Sequence, residues 1–150
     1  MKADTLPFPD WMERTVQMLG YDKCMMLKQS NVLVAGLGGV GSVAVENMVR
    51  SGIGKITMID HDRVQASNIN RQLPALHSTI GKSKIEVMKS RLLDINPDLE
   101  IICMDDFLTG DLMEEIIDRR FDFVVDAIDT LMPKIRLIEK TYKLGIPLAS

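Results

Sequence analysis

The 150-residue chain is 46% hydrophobic and has a formal net charge of −3. It is long enough for one domain with a substantial core, and its charge excludes a broadly basic surface for non-specific nucleic-acid binding. The two cysteines, Cys24 and Cys103, lie far apart and form no CxxC pair, so they indicate neither a disulfide framework nor a zinc site. We therefore expect a cytoplasmic protein. The chain shows no secretory signal pattern and no membrane-length apolar run, so we expect no stable membrane association.

The first segment, "PDWMERTVQMLGYDKCMMLKQS", predicts one or two helices, with Gly20 as a possible break between them. We assign residues 1–30 to an N-terminal helical extension and residues 31–150 to one further domain. The final "IPLAS" is typical of the start of another strand. On that basis we expect the chain to be the N-terminal part of a longer protein.

Strand and helix patterns alternate through the rest of the chain. The apolar runs "NVLVAGL", "KITMID", "LEIICM" and "FDFVVDAID" predict strands, the first of them buried on both faces, and helical patterns separate them. Two apolar helix faces are expected between and after these strands, formed by Val40, Val43, Ala44 and Met48, and by Leu131, Ile135, Ile138 and Tyr142. The alternation predicts an α/β fold of the Rossmann-like, doubly wound type, with a mainly parallel sheet and helices on both faces.

A glycine-rich turn joins the first strand to the next helix. Gly36, Gly38 and Gly41 have GxGxxG spacing, which suits a tight turn, close approach of a phosphate, and close packing of the helix. Asp60 ends the second strand about twenty residues later, where a carboxylate can accept hydrogen bonds from ribose hydroxyls. These features predict a ligand that contains adenosine, and they leave NAD, FAD, ATP and S-adenosylmethionine open.

The polar segment after Asp60 favours a triphosphate. "SNINRQ" contains Asn68, Arg71 and Gln72, and Lys84 opens the next helix. One helix N-terminus already serves a pyrophosphate, whereas a triphosphate that reacts at its α-phosphate needs additional cations. Arg71 and Lys84 meet that need.

Two acids, Asp126 and Asp129, lie in "DAIDT" at the end of the fourth predicted strand. Ligands of open α/β sheets bind at this edge, and Mg²⁺ prefers carboxylate and phosphate oxygens. Asp129 lies beyond the strand and is the better candidate metal ligand. Its alternative role is to cap the following helix.

The set "GLGGVGS", "IDHD", "SNINRQ", "GKSK" and "DAIDT" resembles the ubiquitin-activating-enzyme-like adenylyltransferases, which include the ThiF, MoeB and HesA proteins. The resemblance implies that Mg-ATP adenylates a carboxylate. It implies catalytic roles for Arg14, Arg71, Lys84 and Asp129, with Asp129 as the metal ligand and Arg14 reaching the triphosphate from the partner subunit of a homodimer. The implied nucleotide-binding residues are Gly36, Gly38, Gly39, Gly41, Asp60, Asp62, Asn68, Arg71, Gln72 and Lys84.

Within that family, "SGIGKITMIDHD", "NRQLPALHSTIGKSKIEVM" and "DAIDTLMPKIRLI" resemble the TcdA-like branch more than the sulfur-carrier activators. The branch implies that ATP drives the cyclising dehydration of threonylcarbamoyladenosine in tRNA, so tRNA is the expected substrate. The alternative within the family is adenylation of the C-terminal glycine of a ubiquitin-like sulfur-carrier protein. Two alternatives outside it are an NAD-dependent oxidoreductase and a non-catalytic nucleotide-binding protein.

Overall fold

The computed structural model describes residues 8–150. After two consecutive α-helices at the start, five strands alternate with four further α-helices. The helices are α1 Glu13–Leu19, α2 Tyr21–Gln29, α3 Gly41–Arg50, α4 Lys84–Ile95, α5 Gly110–Ile116 and α6 Leu131–Leu144. The strands are β1 Asn31–Ala35, β2 Lys55–Ile59, β3 Glu100–Met104, β4 Phe123–Asp126 and β5 Leu148–Ala149.

The strands form one parallel sheet in the order β3-β2-β1-β4-β5. Side chains alternate across a strand, so Val32 and Val34 of β1 face one core and Leu33 and Ala35 face another. Helices α3 and α4 contribute to the first core, and α5 and α6 contribute to the second. The predicted doubly wound sheet with helices on both faces is confirmed.

The N-terminal helices pack at one end of the sheet. Gly20, with φ +84°, separates α1 from α2 at the predicted break. A Cβ at Gly52 would lie 2.3 Å from the Met12 Cε atom, and the Gly54 N–H donates to the Leu27 carbonyl oxygen at 3.2 Å. Both glycines precede β2, so the helical extension lies at the edge where the parallel strands begin.

The two expected apolar faces are wrong in part. Val40 and Val43 are exposed, and α3 instead buries Val45 and Val49 against the sheet. On α6 the expected face is exposed throughout, and Leu137 is the side chain packed in the second core. The buried faces differ from the expected ones because α3 and α6 each carry apolar residues on more than one side. Only the narrow stripe that meets the sheet becomes buried.

An ion-pair network joins α3 to α4 on the first face of the sheet. Glu46, which is 7% exposed, accepts hydrogen bonds from the guanidinium groups of Arg50 and Arg91. The Arg91 guanidinium holds the pKa of Glu46 below its ordinary value. The network therefore braces the helix that follows the glycine-rich turn against its neighbour.

No helix in residues 8–150 combines the length and the apolar character that crossing a membrane requires.

Candidate nucleotide-binding site

A cleft of about 520 Å³ opens at the edge of the sheet where the strands end. Its walls come from the segments that follow β1, β2, β3 and β4, because parallel strands carry their C-terminal ends to the same edge. Among the predicted site residues, those lining the cleft are Gly36, Gly38, Gly39, Asp60, Asp62, Asn68, Arg71, Gln72, Lys84 and Asp129. Gly41 and Arg14 are not among the lining residues.

The glycines of the turn do different work. Gly36 adopts φ +92°, and an added Cβ would lie 2.6 Å from the Ala127 carbonyl oxygen. A Cβ at Gly41 would lie 1.8 Å from the Gly36 carbonyl oxygen, so Gly41 allows the helix to pack against the turn. A Cβ at Gly38 would meet only the Gln72 Nε2 atom, at 3.8 Å. The backbone at Gly38 is therefore open to a ligand in the cleft.

Asp60 connects the end of β2 to the glycine-rich turn. One carboxylate oxygen accepts the Leu37 N–H at 2.6 Å, and the other accepts the Asp62 N–H at 2.7 Å. The residue is 8% exposed and lines the cleft. Each oxygen has a second lone pair, so the carboxylate can also accept hydrogen bonds from a ribose.

Lys84 is buried at the start of α4 and is paired with Asp62. The Lys84 Nζ atom lies 2.8 Å from Asp62 Oδ2, and the Lys84 side chain is 5% exposed against 51% for Asp62. An ammonium has three donors, so this pair leaves Lys84 donors for an anion in the cleft. Asp62 therefore holds the cation in position at the site.

Asn68 and Gln72 follow β2 in the polar connection. The Asn68 side-chain oxygen accepts the Gln65 N–H at 3.0 Å, which shapes the short turn around it. Gln72 is 8% exposed, and its Oε1 atom has no hydrogen-bond partner among the described residues. An unpartnered buried amide is costly, so this side chain fits a ligand that brings polar groups into the cleft.

Arg71 lies beside the glycine-rich turn. Its guanidinium donates to the Ser67 carbonyl oxygen at 3.2 Å and to the Asn70 side-chain oxygen at 3.0 Å. Its Cγ atom would lie 3.5 Å from a Cβ at Gly39. A second cationic side chain therefore lies next to the glycine-rich turn.

The two acids of "DAIDT" have different environments. The Asp126 side chain is fully buried, and it accepts hydrogen bonds from Lys134, Ser150 and the Ile128 N–H. Asp129 is exposed in the cleft, and within residues 8–150 its side chain has one hydrogen bond, from the neighbouring Thr130 hydroxyl at 3.3 Å. Of this pair, only Asp129 has a carboxylate exposed to the cleft.

A second group of possible metal ligands lies within the described residues. Atoms of Asp60, His61 and Asp62 all lie within 4.8 Å of one another. However, Asp60 accepts two backbone N–H groups and Asp62 is paired with Lys84. Both carboxylates therefore already bind donors of this chain, which makes this group a poorer candidate for a metal than Asp129.

The sequence reasoning missed two neighbours of the site. His61 and Phe107 line the cleft with ring centroids 4.8 Å apart and planes at 75°. Each follows the end of a strand, so its position in the sequence could have predicted that it lies at the same edge of the sheet as the cleft. Lys134 was also missed, since only the folded chain brings it to Asp126. Outside this group, burial raises the pKa of the Cys103 thiol.

Arg14 lies away from the cleft of its own chain. It is exposed on α1, where its guanidinium donates to the Gln17 side-chain oxygen at 3.0 Å. Its near neighbour Met12 contacts Gly52 before the start of β2, whereas Asp60 follows the end of that strand. Five residues of strand separate the two edges, roughly 17 Å.

The sequence profile of the ThiF family matches residues 12–150. The chain belongs to the ThiF family. It is 46% identical over 132 residues to the tRNA threonylcarbamoyladenosine dehydratase of Bacillus subtilis, covering 88% of this chain and 52% of that protein. It is 34% identical over 124 residues to the molybdopterin-synthase adenylyltransferase of Salmonella typhimurium, covering 83% and 49%.

The ThiF-family fold is also evident from solved structures. A crystal structure of the E. coli tRNA N6-threonylcarbamoyladenosine dehydratase, TcdA, in complex with ATP superposes with a TM-score of 0.89. The two chains are 39% identical, and the match covers 93% of this chain and 59% of TcdA. The chain thus spans about half the length of the curated dehydratases that it matches.

Proposed function

We propose that the cleft binds ATP with Mg²⁺ and activates a carboxylate by adenylation. The observation that carries this proposal is that the buried Lys84 ammonium lines the same cleft as the open turn at Gly38, with Arg71 beside that turn. Two cations in addition to a helix N-terminus suit a triphosphate whose α-phosphate gains charge during reaction. The ATP complex of TcdA supports the choice of nucleotide.

In the proposed reaction, a carboxylate oxygen of the substrate attacks the α-phosphorus. The bond from that phosphorus to the bridging oxygen breaks, and pyrophosphate leaves with the electron pair. Asp60 orients the ribose, backbone N–H groups of the glycine-rich turn bind phosphate oxygens, and Lys84 and Arg71 stabilise the charge. The product is an acyl adenylate, whose carbonyl carbon is a better electrophile than that of the free carboxylate.

Asp129 is the proposed ligand of Mg²⁺. Its exposed carboxylate lies on the loop after β4 and lines the cleft, and oxygen donors of this kind suit the ion. When bound, Mg²⁺ supplies charge neutralisation to the phosphates. Asp126 is unsuitable for this role because Lys134 and Ser150 already occupy its oxygens.

The proposed substrate is threonylcarbamoyladenosine in tRNA. Adenylation of its threonine carboxylate lets the neighbouring carbamoyl group attack the activated carbon, which closes a ring and releases AMP. The substrate loses one water overall, because its carboxylate oxygen leaves with AMP. The chain is 46% identical to the Bacillus subtilis dehydratase and 34% identical to the Salmonella adenylyltransferase. The higher identity to the dehydratase supports this substrate over a sulfur-carrier protein.

We also propose a cytoplasmic homodimer in which Arg14 acts on the partner subunit's nucleotide. Its position at the opposite edge of the sheet from the cleft supports action in trans. An Arg14→Ala protein mixed with a Lys84→Ala protein tests the arrangement. Each variant should be inactive alone, and mixed dimers should regain activity because one of their two sites is intact. Failure of the mixture to regain any activity would contradict action in trans.

The substrate assignment is tested by mass analysis of tRNA nucleosides. Cells lacking the gene should accumulate threonylcarbamoyladenosine, and the protein as encoded, supplied in trans, should restore the form lighter by one water. The matched control is the Lys84→Ala variant, which should fold but not restore it. Unchanged nucleosides, together with ATP–pyrophosphate exchange that depends on a carrier protein ending in Gly-Gly, would establish the alternative substrate instead.

A further inference from the structure

Lys134 and Asp126 form an ion pair behind the loop that carries Asp129. The Lys134 Nζ atom lies 2.6 Å from Asp126 Oδ2, and the two side chains are 27% and 0% exposed. Ser150 completes the cluster, because its Oγ atom lies 2.8 Å from both the Lys134 Nζ atom and Asp126 Oδ2. The last residue of β4 is thereby tied to the first turns of α6 and to the end of β5.

The loop between these elements is held on two sides. Asp126 Oδ1 accepts the Ile128 N–H at 3.1 Å, so the same carboxylate that binds Lys134 also fixes the loop backbone. On the other side, the Ala127 N–H donates to the Ala35 carbonyl oxygen at 2.9 Å. The Ala127 carbonyl oxygen lies 2.6 Å from the position of a Cβ at Gly36. The loop is therefore clamped between the ion pair and the glycine-rich turn.

Asp129 depends on this clamp for its position. From the described part of the chain, its side chain receives only the 3.3 Å hydrogen bond from Thr130, its immediate neighbour. Where the carboxylate lies is therefore decided mainly by the backbone of residues 127–129. A shift of that backbone would move Asp129 relative to the phosphates while leaving Asp60, at the end of a different strand, in place.

We propose that Lys134 is a positioning residue, which acts through Asp126 to hold the Asp129 loop where its carboxylate meets the metal on the nucleotide. The inference rests on the proposed function, since it deepens the role of the same site. In the proposed site, Lys134 contacts neither the nucleotide nor the metal. Residues one step removed from a metal ligand commonly tune its affinity in this way.

The test compares binding of Mg-ATP, metal-free ATP and AMP by calorimetry. Lys134→Met should weaken Mg-ATP binding by about tenfold, the scale found for residues that support a metal ligand, and leave AMP binding unchanged. Lys134→Arg keeps the charge and should recover most of the loss. In an Asp129→Asn background, Lys134→Met should add nothing, because residues that act through one another are not additive.

A double variant distinguishes the positioning role of Lys134 from a role in stability alone. Lys134→Met leaves a buried carboxylate without its partner and should lower the melting temperature, whereas Asp126→Asn combined with Lys134→Met removes both charges and should recover it. Mg-ATP affinity should stay low in the compensated protein. Affinity that instead follows the melting temperature, equal losses for AMP, or additivity with Asp129→Asn would overturn the proposal. Absence of any ATP binding by the unaltered protein would refute the proposed function itself.

Discussion

Gly38→Ala should reduce nucleotide binding without reducing stability. The backbone of Gly38 is outside the left-handed region, and the nearest atom to an added methyl group would be the Gln72 Nε2 atom at 3.8 Å. That distance is ordinary van der Waals contact, so the free energy of unfolding should change by less than about 0.5 kcal/mol.

The magnitude of the binding effect follows from the position of that methyl group in the cleft. A phosphate oxygen bound to a backbone N–H of the turn would lie about 2.9 Å from the nitrogen, a distance that a methyl group on the adjacent Cα obstructs. Loss of one hydrogen bond to a charged group costs roughly 1.5–3 kcal/mol, which corresponds to about a 10- to 100-fold weaker affinity for ATP. Adenosine lacks phosphates, and its affinity should not change.

The assay is calorimetric titration with ATP and with adenosine, accompanied by urea unfolding of the same preparations. Gly41→Ala is the matched contrast, because its Cβ would lie 1.8 Å from the Gly36 carbonyl oxygen and must displace the turn. That variant should lose at least about 1–3 kcal/mol of stability. The reasoning is refuted if Gly38→Ala binds ATP as tightly as the unaltered protein, or if it loses as much stability as Gly41→Ala.

Three further predictions concern charged groups. Arg91 holds the pKa of Glu46 below its ordinary value of 4.5, so the stabilisation from this pair is complete above pH 4.5 and is lost as pH falls through the lower folded-state pKa. Glu46→Gln should cost about 1 kcal/mol near neutral pH and flatten the acid limb of a stability-against-pH curve; an unchanged limb would contradict the assignment. Asp60→Asn should cost about 1–3 kcal/mol in urea unfolding, since one of two backbone N–H groups then loses its acceptor. Lys84→Met should weaken ATP binding at least about tenfold and spare adenosine, and an equal loss for adenosine would disprove the phosphate role.

The elements of the fold were predictable because hydrophobic periodicity changes sharply along this chain. The five apolar runs coincide with β1 to β5, and Gly20 separates two helices as the pattern indicated. The orientation of each helix was harder to predict. On α6 the sequence has apolar residues on two sides, and only contact with the sheet selects Leu137 and leaves Tyr142 exposed.

In the candidate site, too, some features were predictable from local sequence and others were not. Gly36, Gly38, Asp60 and Lys84, which line the cleft, could be predicted as candidates because each has a local signal, in a strand, a turn or the start of a helix. Local sequence could not predict which polar groups remain available to a ligand. Gln72 is buried with an unpartnered oxygen, whereas the Asn68 oxygen is already used by a backbone N–H.

By itself, the sequence determined the order of strands and helices, the position of the glycine-rich turn, and the residue types on which the prediction of ATP rests. The tertiary structure alone decided that Asp126 serves Lys134 while Asp129 stays open, and that Arg14 lies at the opposite edge from the cleft. The physical reason is that local conformation follows from neighbouring residues in the chain. Pairing between charges depends on which distant segments the parallel sheet brings to the same edge.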